Sequence, residues 1–217
     1  TSELSGNLID LCPVGALTSA PYAYHARSWE LKKTESIDVM DALGAAIRVD
    51  SRGPEVMRIM PRLNEDVNEE WISDKSRFSC DGLRRQRLDK PYVRNAAGKL
   101  EPASWDDAFA AISAKVSGLS GERIAAIAGD QCAAESMFAL KGLMDALGSP
   151  HLDCRQDGAA LDPSVRAGYL FNTGIAQSED ADVCLIIGSN PRWEAPLVNA
   201  RLRKGWLAGS MKIGVIG

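Results

Sequence analysis

The sequence lacks the short motifs by which several large classes of protein are recognised. It has no C-x-x-C pair, no G-x-G-x-x-G fingerprint, no P-loop and no G-x-S-x-G nucleophile elbow. Its two histidines, His25 and His151, have neither H-x-x-H nor H-x-x-x-H spacing. The residues therefore give no sign of a paired-histidine zinc site, a dinucleotide cradle or a serine hydrolase. We interpret His25 as a partly exposed structural histidine.

Positive charge and long apolar runs are also scarce. The 217 residues carry a formal net charge of -4 and have a pI of about 5.3, which argues against general nucleic-acid binding. No run approaches the roughly 18 apolar residues that cross a bilayer, and the first residues lack the regions of a signal peptide. The absence of a starting Met and the ending in "KIGVIG" lead us to expect a piece of a longer protein.

The chain contains cysteines, but their spacing gives no sign of disulfide pairs. The five cysteines are widely separated and odd in number, at positions 12, 80, 132, 154 and 184. A disulfide framework in a secreted domain would show short, paired spacings. We therefore predict a reducing compartment, with cysteines that are buried or bind metal.

Two patterns of periodicity divide the chain after its irregular start. β-branched residues alternate on both sides of the "DSRGP" turn, which predicts short antiparallel strands. After Pro91 helices and strands alternate, with Ser104 and Asp107 as a helix-capping pair. The runs at 123–129 and 182–190 have the character of buried parallel strands. This alternation predicts a mostly parallel, doubly wound sheet.

The most specific stretch is "DLCPVGALTSAP", in which Cys12 precedes a proline. A Cys-Pro pair is typical of iron–sulfur ligand loops, because proline turns the chain without adding a competing N–H donor. Gly15 would let the backbone approach a bulky inorganic cluster. From the Cys-Pro pair alone, a buried free cysteine in a loop is the more common interpretation.

A resemblance to a known family decides between these interpretations. "GNLIDLCPVGALTSAPYAYHARSWELKKTESID" and "NEEWISDKSRFSCDGLRRQRLDKPYVR" resemble the large iron–sulfur subunit of respiratory NADH:quinone oxidoreductase, complex I. The resemblance implies that Cys12 is the fourth ligand of a four-iron (4Fe-4S) cluster. Its three companions would lie in a C-x-x-C-x-x-C run before Thr1, so this chain cannot assemble the cluster alone.

The same resemblance implies that one cluster is missing. Some bacterial relatives carry a further four-iron cluster in the small β domain, and its ligand positions correspond here to Ile37, Met40, Gly44 and a position at or near Ser73. None of these residues is a cysteine, and such a cluster needs thiolates. We predict that this domain holds no cluster and that Cys80 is a free cysteine.

The last part of the chain resembles the α/β domains of molybdopterin oxidoreductases, through "IIGSNPRWEAPLVNARLRK". In those enzymes loops at the carboxyl ends of parallel strands hold the cofactor. Gly188, Ser189 and Asn190 occupy such a strand end, although this is also an ordinary strand-to-helix turn. The complex I resemblance implies a relic domain, and we expect no molybdopterin.

Taken together, these expectations describe an α/β chain in three pieces. We predict the tail of a ferredoxin-like cluster domain at 1–28, a small β-rich domain at 29–88, and the first part of a molybdopterin-oxidoreductase-like domain at 89–217. The basic run from 75 to 94 is interpreted either as a solvated helix and turn or as a contact between subunits or domains.

The implied function is electron relay from NADH and flavin, bound on another subunit, through iron–sulfur clusters toward quinone. This chain would supply one cluster ligand, Cys12, with no catalytic acid or base, and would otherwise be scaffold. The implied partners are other peripheral-arm subunits, with no nucleic acid and no membrane span. The location would be the cytoplasmic face of the bacterial inner membrane or the mitochondrial matrix side. A molybdopterin-dependent oxidoreductase and a non-redox interaction module are the alternatives.

Overall fold

A computed structural model describes residues 2–154, 162 and 164–217. The strands and helices follow one another in this order: α1 (Asn7–Leu11), β1 (Lys32–Ile37), β2 (Ala46–Arg52), β3 (Glu55–Pro61), α2 (Asp74–Phe78), β4 (Tyr92–Arg94), β5 (Leu100–Pro102), α3 (Trp105–Val116), β6 (Ala125–Ile127), α4 (Ala134–Ala146), β7 (His151–Asp153), β8 (Val183–Ile187), α5 (Pro191–Glu194), α6 (Pro196–Ala208) and β9 (Lys212–Ile216). Short 3-10 helices cover Ser28–Glu30, Ser79–Arg84, Gly121–Arg123, Arg166–Gly168 and Ala176–Asp180.

The chain divides into two compact units. The first unit comprises residues 1–86 and 170–217, and the second comprises residues 87–169. The first unit therefore contains β1 to β3 together with β8, α5, α6 and β9, whereas β4 to β7 with α3 and α4 make up the second. The boundaries of the three domains expected from the sequence are based on family resemblance, not on compact units of the fold. These boundaries stay a prediction.

The predicted antiparallel strands form a three-stranded sheet in the order β1-β2-β3. Val49 in the central strand pairs with Thr34 on one side and with Ile59 on the other. The β2–β3 hairpin closes at Gly53, whose φ of +59° is accessible to glycine at little cost. An irregularity in the pairing falls at Asp50, beside the charged network described below.

The core of the first unit joins the small sheet to helix α6. Ala45, Ile47, Ile59, Ile72 and Leu197 form one buried cluster. Leu197 comes from the first turn of α6, more than a hundred residues beyond the sheet in sequence. Burial of a leucine or isoleucine side chain contributes roughly 1.5–3 kcal/mol, so these contacts fix α6 on the sheet.

The strands of the α/β region pair in parallel, as the sequence predicts. β8 pairs with β9 in the first unit, and β6 pairs with β7 in the second. The α/β class is therefore confirmed. The described parallel strands form two sheets of two strands each, and their continuation into one doubly wound sheet stays a prediction.

Burial in this region differs from the expectation. Ile127 and Ile187, in strands predicted to be buried, are each 65% exposed. Helix α3 begins with the predicted capping pair, since Ser104 and Asp107 bond each other's backbone, yet Trp105 on its apolar face is exposed. The reason is that a sheet of two strands covers little of its own surface. The sequence pattern therefore predicts more buried apolar side chains than the described residues contain. Among the residues that the structure describes, no helix has the length and apolar character of a membrane span.

Candidate metal centre

Cys12 lies directly after helix α1, at the start of a tight loop. The Cys12 backbone is extended, and the chain turns back so that the Leu17 N–H donates to Cys12 Sγ at 3.5 Å. Gly15, with a φ of +66°, makes this turn possible, and its N–H donates to the Cys12 carbonyl at 3.4 Å. The loop therefore wraps its N–H groups around the sulfur.

These N–H groups favour the ionised form of the sulfur. The pKa of the Cys12 thiol is lowered, foremost by the backbone hydrogen bond from Leu17, with further contributions from the N–H groups of Ala16, Val14 and Gly15. A thiolate is the form that binds iron, and N–H···S bonds are among the features that set the potential of an iron–sulfur cluster. The donor set at Cys12 therefore fits one corner of such a cluster.

The surroundings of Cys12 are open and apolar. Leu8, Leu11, Val14 and Leu17 are all at least half exposed, and Val14 reaches 82%. Exposed apolar side chains close together in one segment are typical of a contact surface. Across residues 2–154, 162 and 164–217, no three His, Cys, Asp or Glu side chains form a metal-binding group. Within that part of the chain, Cys12 therefore belongs to no group of three or more such side chains.

The positions predicted to correspond to a second cluster lie in the first unit, where a hydrogen-bonded network links the loop after β1 to the start of α2. A Cβ placed on Gly44 would lie 3.6 Å from Ile37 Cγ2. Ser73 and Ser76 bond each other through their hydroxyls at 2.8 Å, and the Ser76 hydroxyl also donates to Asp38. Oxygen atoms of serine and aspartate thus connect the segments that thiolates would bridge in the bacterial relatives.

Asp41 adds an unpaired carboxylate oxygen to this neighbourhood. The residue is buried, and its Oδ1 accepts from the Leu43 N–H at 3.0 Å, whereas its Oδ2 has no hydrogen-bond partner. Burial raises the pKa of Asp41, and the nearby charge of Asp38 raises it further, against the lowering effects of the Leu43 N–H and Lys75. Compared with the unfolded chain, folding therefore shifts this carboxyl toward its protonated form.

We expect Asp41→Asn to stabilise the protein at neutral pH. A raised pKa means that the contribution of Asp41 to stability is complete below its unfolded pKa, near pH 4, and is lost as the pH rises through the folded pKa. Asparagine resembles the protonated form, so the free energy of unfolding at pH 7 should rise by on the order of 1 kcal/mol, the scale of one buried unpaired polar group.

Urea unfolding at pH 7 and at pH 4 tests this prediction, because the gain should disappear at the lower pH. Asp66→Asn is the matched control, since Asp66 is an exposed carboxylate of the same unit. Destabilisation by Asp41→Asn at pH 7 that shrinks at pH 4 would mean that the charged form is the one that the fold favours.

Cys80 has the character of a neutral thiol. It is half-buried beside the core, and burial, followed by the charge of Asp81, raises its pKa. Its Sγ lies 3.9 Å from the Arg77 carbonyl oxygen. The expectation that it is a free cysteine stays a prediction, but the direction of its pKa is opposite to that of Cys12.

The Glu194 carboxylate holds the turn after strand β8 through two hydrogen bonds. Glu194 accepts from the Ser189 hydroxyl at 2.6 Å and from the Asn190 N–H at 3.2 Å, and these bonds lower its pKa. An anionic cofactor at this strand end would meet the Glu194 charge rather than free N–H groups. The geometry thus favours the ordinary strand-to-helix turn over a phosphate cradle.

The basic run and the two histidines are spread over different environments. Arg77 is buried against Asp10, whereas Arg84 forms a half-exposed ion pair with Glu55. This part of the run is therefore neither wholly solvated nor wholly a partner contact. His25 is exposed, and its interpretation as a structural residue stays a prediction; His151 pairs with Glu122 at 3.3 Å in the second unit.

The sequence interpretation missed the buried polar residues around the small sheet. Asp38, Asp41, Asp50, Asn68 and Ser76 are all buried, and none was a candidate. Polar residues inside β-rich patterns, such as the two aspartates of "SIDVMD", were a signal that could have been used, because a polar group next to apolar strand positions is either exposed or hydrogen-bonded.

Comparison with known families identifies the class of protein to which the chain belongs. The model for molybdopterin oxidoreductases matches residues 87–217, which is more than half of the chain. The chain therefore belongs to the molybdopterin oxidoreductase family. Residues 31–81 match the NADH-ubiquinone oxidoreductase NDSU1/NuoG-like 4Fe-4S domain, and residues 1–18 match the NADH-quinone oxidoreductase subunit 3 ferredoxin-like domain.

Similar proteins narrow this class further. NADH dehydrogenase [ubiquinone] iron-sulfur protein 1 of Solanum tuberosum is 54% identical over the whole chain, and the 78 kDa subunit of NADH-ubiquinone oxidoreductase of Neurospora crassa is 56% identical. The corresponding NADH-quinone oxidoreductase protein of Rickettsia conorii is 55% identical, again over the whole chain. The chain spans 29–32% of the length of these relatives. The resemblance to the large iron–sulfur subunit of complex I is thus confirmed.

Proposed function

We propose that the chain is part of the electron-transfer subunit of an NADH:quinone oxidoreductase, and that Cys12 is one thiolate ligand of a four-iron cluster. The observation that carries the proposal is the loop of N–H groups around Cys12 Sγ, led by Leu17 at 3.5 Å. The ferredoxin-like match at residues 1–18 supports it. The three remaining ligands belong to a segment of the parent protein outside this sequence.

The residues of this chain hold and tune one corner of the site. The lowered pKa keeps Cys12 ready to bind as a thiolate, and the N–H groups of the loop stabilise negative charge on sulfur. A four-iron cluster held by Cys12 would supply one-electron transfer at this corner. The chain needs no catalytic acid or base for this role, because no bond of a substrate changes here.

Two absences belong to the proposal. The small β domain holds no cluster of its own, which is supported by the Ser73–Ser76–Asp38 hydrogen bonds at the corresponding positions. The molybdopterin-oxidoreductase-like part binds no molybdopterin, which is supported by Glu194 at the turn after β8. Metal analysis of the complete protein should therefore find iron without molybdenum or tungsten.

The parent subunit lies in the peripheral arm of complex I, at the cytoplasmic face of a bacterial inner membrane or on the mitochondrial matrix side. Its partners are other subunits of that arm, and no nucleic acid takes part. The exposed apolar residues beside Cys12, namely Leu8, Leu11, Val14 and Leu17, form a surface suited to the segment that carries the other ligands. Most of the remaining chain is scaffold.

Cys12→Ala in the complete oxidoreductase tests the ligand assignment. Removal of the thiolate should abolish the electron paramagnetic resonance signal of one four-iron cluster in the reduced complex. It should also lower NADH:quinone electron transfer by more than the roughly 10-fold to 100-fold that is typical when a residue that only supports a metal ligand is lost.

Cys80→Ala is the matched control, because Cys80 has a raised rather than a lowered pKa. This variant should keep every cluster signal. An unchanged set of signals in Cys12→Ala would show that Cys12 is not a ligand, and the proposed function would then lose its main support.

A further inference from the structure

We propose that Arg77 is a positioning residue for the ligand Cys12: from the small β domain it fixes helix α1, and thereby the place of Cys12 Sγ. This inference rests on the proposed function and extends it. It gives a part of the chain without cluster ligands a defined task in the electron path. It is carried by the contacts of α1, in the steps that follow.

Helix α1 cannot hold its position through its own stability, and apolar packing contributes little, because only Ile9 of its apolar residues is partly buried. It has only five residues, from Asn7 to Leu11, and its N-cap Gly6 offers no side-chain hydrogen bond. A helix of this length is not stable by itself in water. Two of its apolar side chains, Leu8 and Leu11, are more than half exposed. Another set of contacts must therefore orient it.

Arg77 provides the central contact. Its guanidinium donates to Asp10 Oδ2 at 2.5 Å and to Asp10 Oδ1 at 3.3 Å, and one of its nitrogens also donates to Asn7 Oδ1 at 3.1 Å. The Arg77 side chain is only 5% exposed. A planar guanidinium that binds two oxygens of one carboxylate fixes direction as well as distance, so Arg77 sets the orientation of α1.

The neighbours of Arg77 complete the attachment. Asn7 donates to the Ile72 carbonyl at 2.8 Å and accepts from the Ile72 N–H at 3.2 Å. The Gly6 N–H donates to Asp74 Oδ1 at 2.6 Å. A Cβ on Gly6 would lie 2.8 Å from Arg77 Nε, so only glycine permits this approach. We call Arg77 with Asn7, Asp10, Ile72 and Asp74 the α1 clamp.

The clamp acts on the sulfur through a short path. Asp10 stands two residues before Cys12, and α1 ends at Leu11. Loss of the Asp10 contact would let the last turn of α1 shift, and Cys12 Sγ would shift with it relative to the N–H groups of its loop. Partners that orient a metal ligand without touching the metal change affinity and potential when they are removed.

Two mild substitutions in the complete oxidoreductase test this inference. Arg77→Lys keeps the positive charge but loses the planar, two-point contact, and Asp10→Asn keeps the shape but loses the charge. Each should speed the loss of this cluster under chelation by about 10-fold, and each should shift its midpoint potential or its g values while the other clusters keep theirs. Amide hydrogen exchange across α1 should rise in both variants.

Arg84→Lys is the matched control. Arg84 belongs to the same run of basic residues, but its ion pair with Glu55 is half-exposed and does not involve α1. It should leave the cluster and the exchange of α1 unchanged. The double variant Asp10→Asn with Arg77→Lys should be no worse than the stronger single variant, because both changes remove the same contact.

The outcomes separate this inference from the proposed function. Additive effects, or an unchanged potential and unchanged g values in both single variants, would overturn the positioning role even where Cys12→Ala abolishes the signal. Should Arg77→Lys prevent assembly, Asp10→Asn decides the question, since Asp10 is the more exposed partner of the pair. Only an unchanged cluster in Cys12→Ala would reject the ligand assignment itself.

Discussion

Asp50→Asn is expected to lower the free energy of unfolding of the small sheet by about 3 kcal/mol. The Asp50 carboxylate is fully buried and binds two arginines, with Arg48 Nε at 2.8 Å from Oδ1 and Arg58 Nε at 2.8 Å from Oδ2. Removal of one partner from a buried ion pair costs roughly 3–5 kcal/mol, because the remaining charge is left uncompensated. The lower end applies because both arginines keep some contact with solvent.

The effect of Asp50→Asn should depend on pH. Burial alone would raise the pKa of Asp50, but its hydrogen bonds and charge interactions with Arg48 and Arg58 lower the pKa on balance. A lowered pKa means that Asp50 contributes its stability above its unfolded pKa, near pH 4. The contribution is lost as the pH falls through the folded pKa, so the difference between native and variant should shrink in acid.

Urea unfolding from pH 7 down to pH 3, with amide exchange of β2 and β3 as the local readout, measures both effects. Glu35→Gln is the control on the same sheet, because Glu35 is 73% exposed and lies 3.7 Å from Arg62. An exposed pair of this kind contributes less than about 1 kcal/mol. An unchanged free energy of unfolding in Asp50→Asn at pH 7 would mean that the Asp50 charge does not stabilise the fold through Arg48 and Arg58.

The same network reaches the segment that follows Cys12. The Arg58 guanidinium lies over the ring of Tyr22, with its carbon 4.5 Å from the ring centroid. Such a cation–π contact contributes roughly 0.5–1 kcal/mol or more. Asp50 therefore holds Arg58 in a position that also supports Tyr22, in the segment after the Cys12 loop. Asp50→Asn should raise amide exchange in that segment.

Asn68→Ala is expected to lower the free energy of unfolding by about 3 kcal/mol or more, through loss of buried hydrogen bonds rather than of an ion pair. Asn68 is 1% exposed, its Oδ1 accepts from the Ala46 N–H at 2.8 Å, and its Nδ2 donates to three carbonyls between 3.0 and 3.2 Å. These carbonyls belong to Arg62, Glu69 and Trp71. Alanine would leave the buried Ala46 N–H and the Arg62 and Trp71 carbonyls without this partner, whereas the Glu69 carbonyl keeps its bond from the Asn64 N–H at 3.0 Å. Each buried polar group left unpaired costs roughly 1–3 kcal/mol.

Two further variants sharpen the test of Asn68. Asn68→Asp keeps the acceptor for the Ala46 N–H but sets a carboxylate against three carbonyl oxygens, so it should be at least as harmful at pH 7 and milder in acid. Asn199→Ala, at a partly exposed position of α6, should change the unfolding free energy by less than about 0.5 kcal/mol. A small loss in Asn68→Ala would show that water replaces the amide.

Local patterns in the sequence were sufficient for much of the secondary structure. The capping pair Ser104 and Asp107, the Gly53 turn and the apolar run of β8 each have a local cause, and the structure contains the corresponding elements. The placement of helix α6 on the small sheet could not be predicted, because Leu197 meets Ile72 only through the tertiary fold. Period and composition contain no information about such distant partners.

The candidate site was predictable only in part, for a related reason. The Cys-Pro-Val-Gly pattern marks Cys12 because the proposed ligand and its N–H donors lie within six residues of each other. The α1 clamp was not foreseen, since Asp10 and Arg77 are 67 residues apart and each has the appearance of an ordinary surface charge. The buried carboxylates Asp38 and Asp41 were missed for the same reason, as aspartate in a sequence is usually solvated.

The serine–aspartate bonds beneath the small sheet bear on how this protein is made. Ser73, Ser76 and Asp38 join the loop after β1 to the start of α2 through oxygen atoms that belong to the polypeptide itself. That segment can therefore reach its final form before any inorganic sulfur arrives. Under the proposed function, a newly synthesised chain would then present Cys12 on a support that is already folded, and shortage of iron would delay filling of the cluster rather than folding of the sheet.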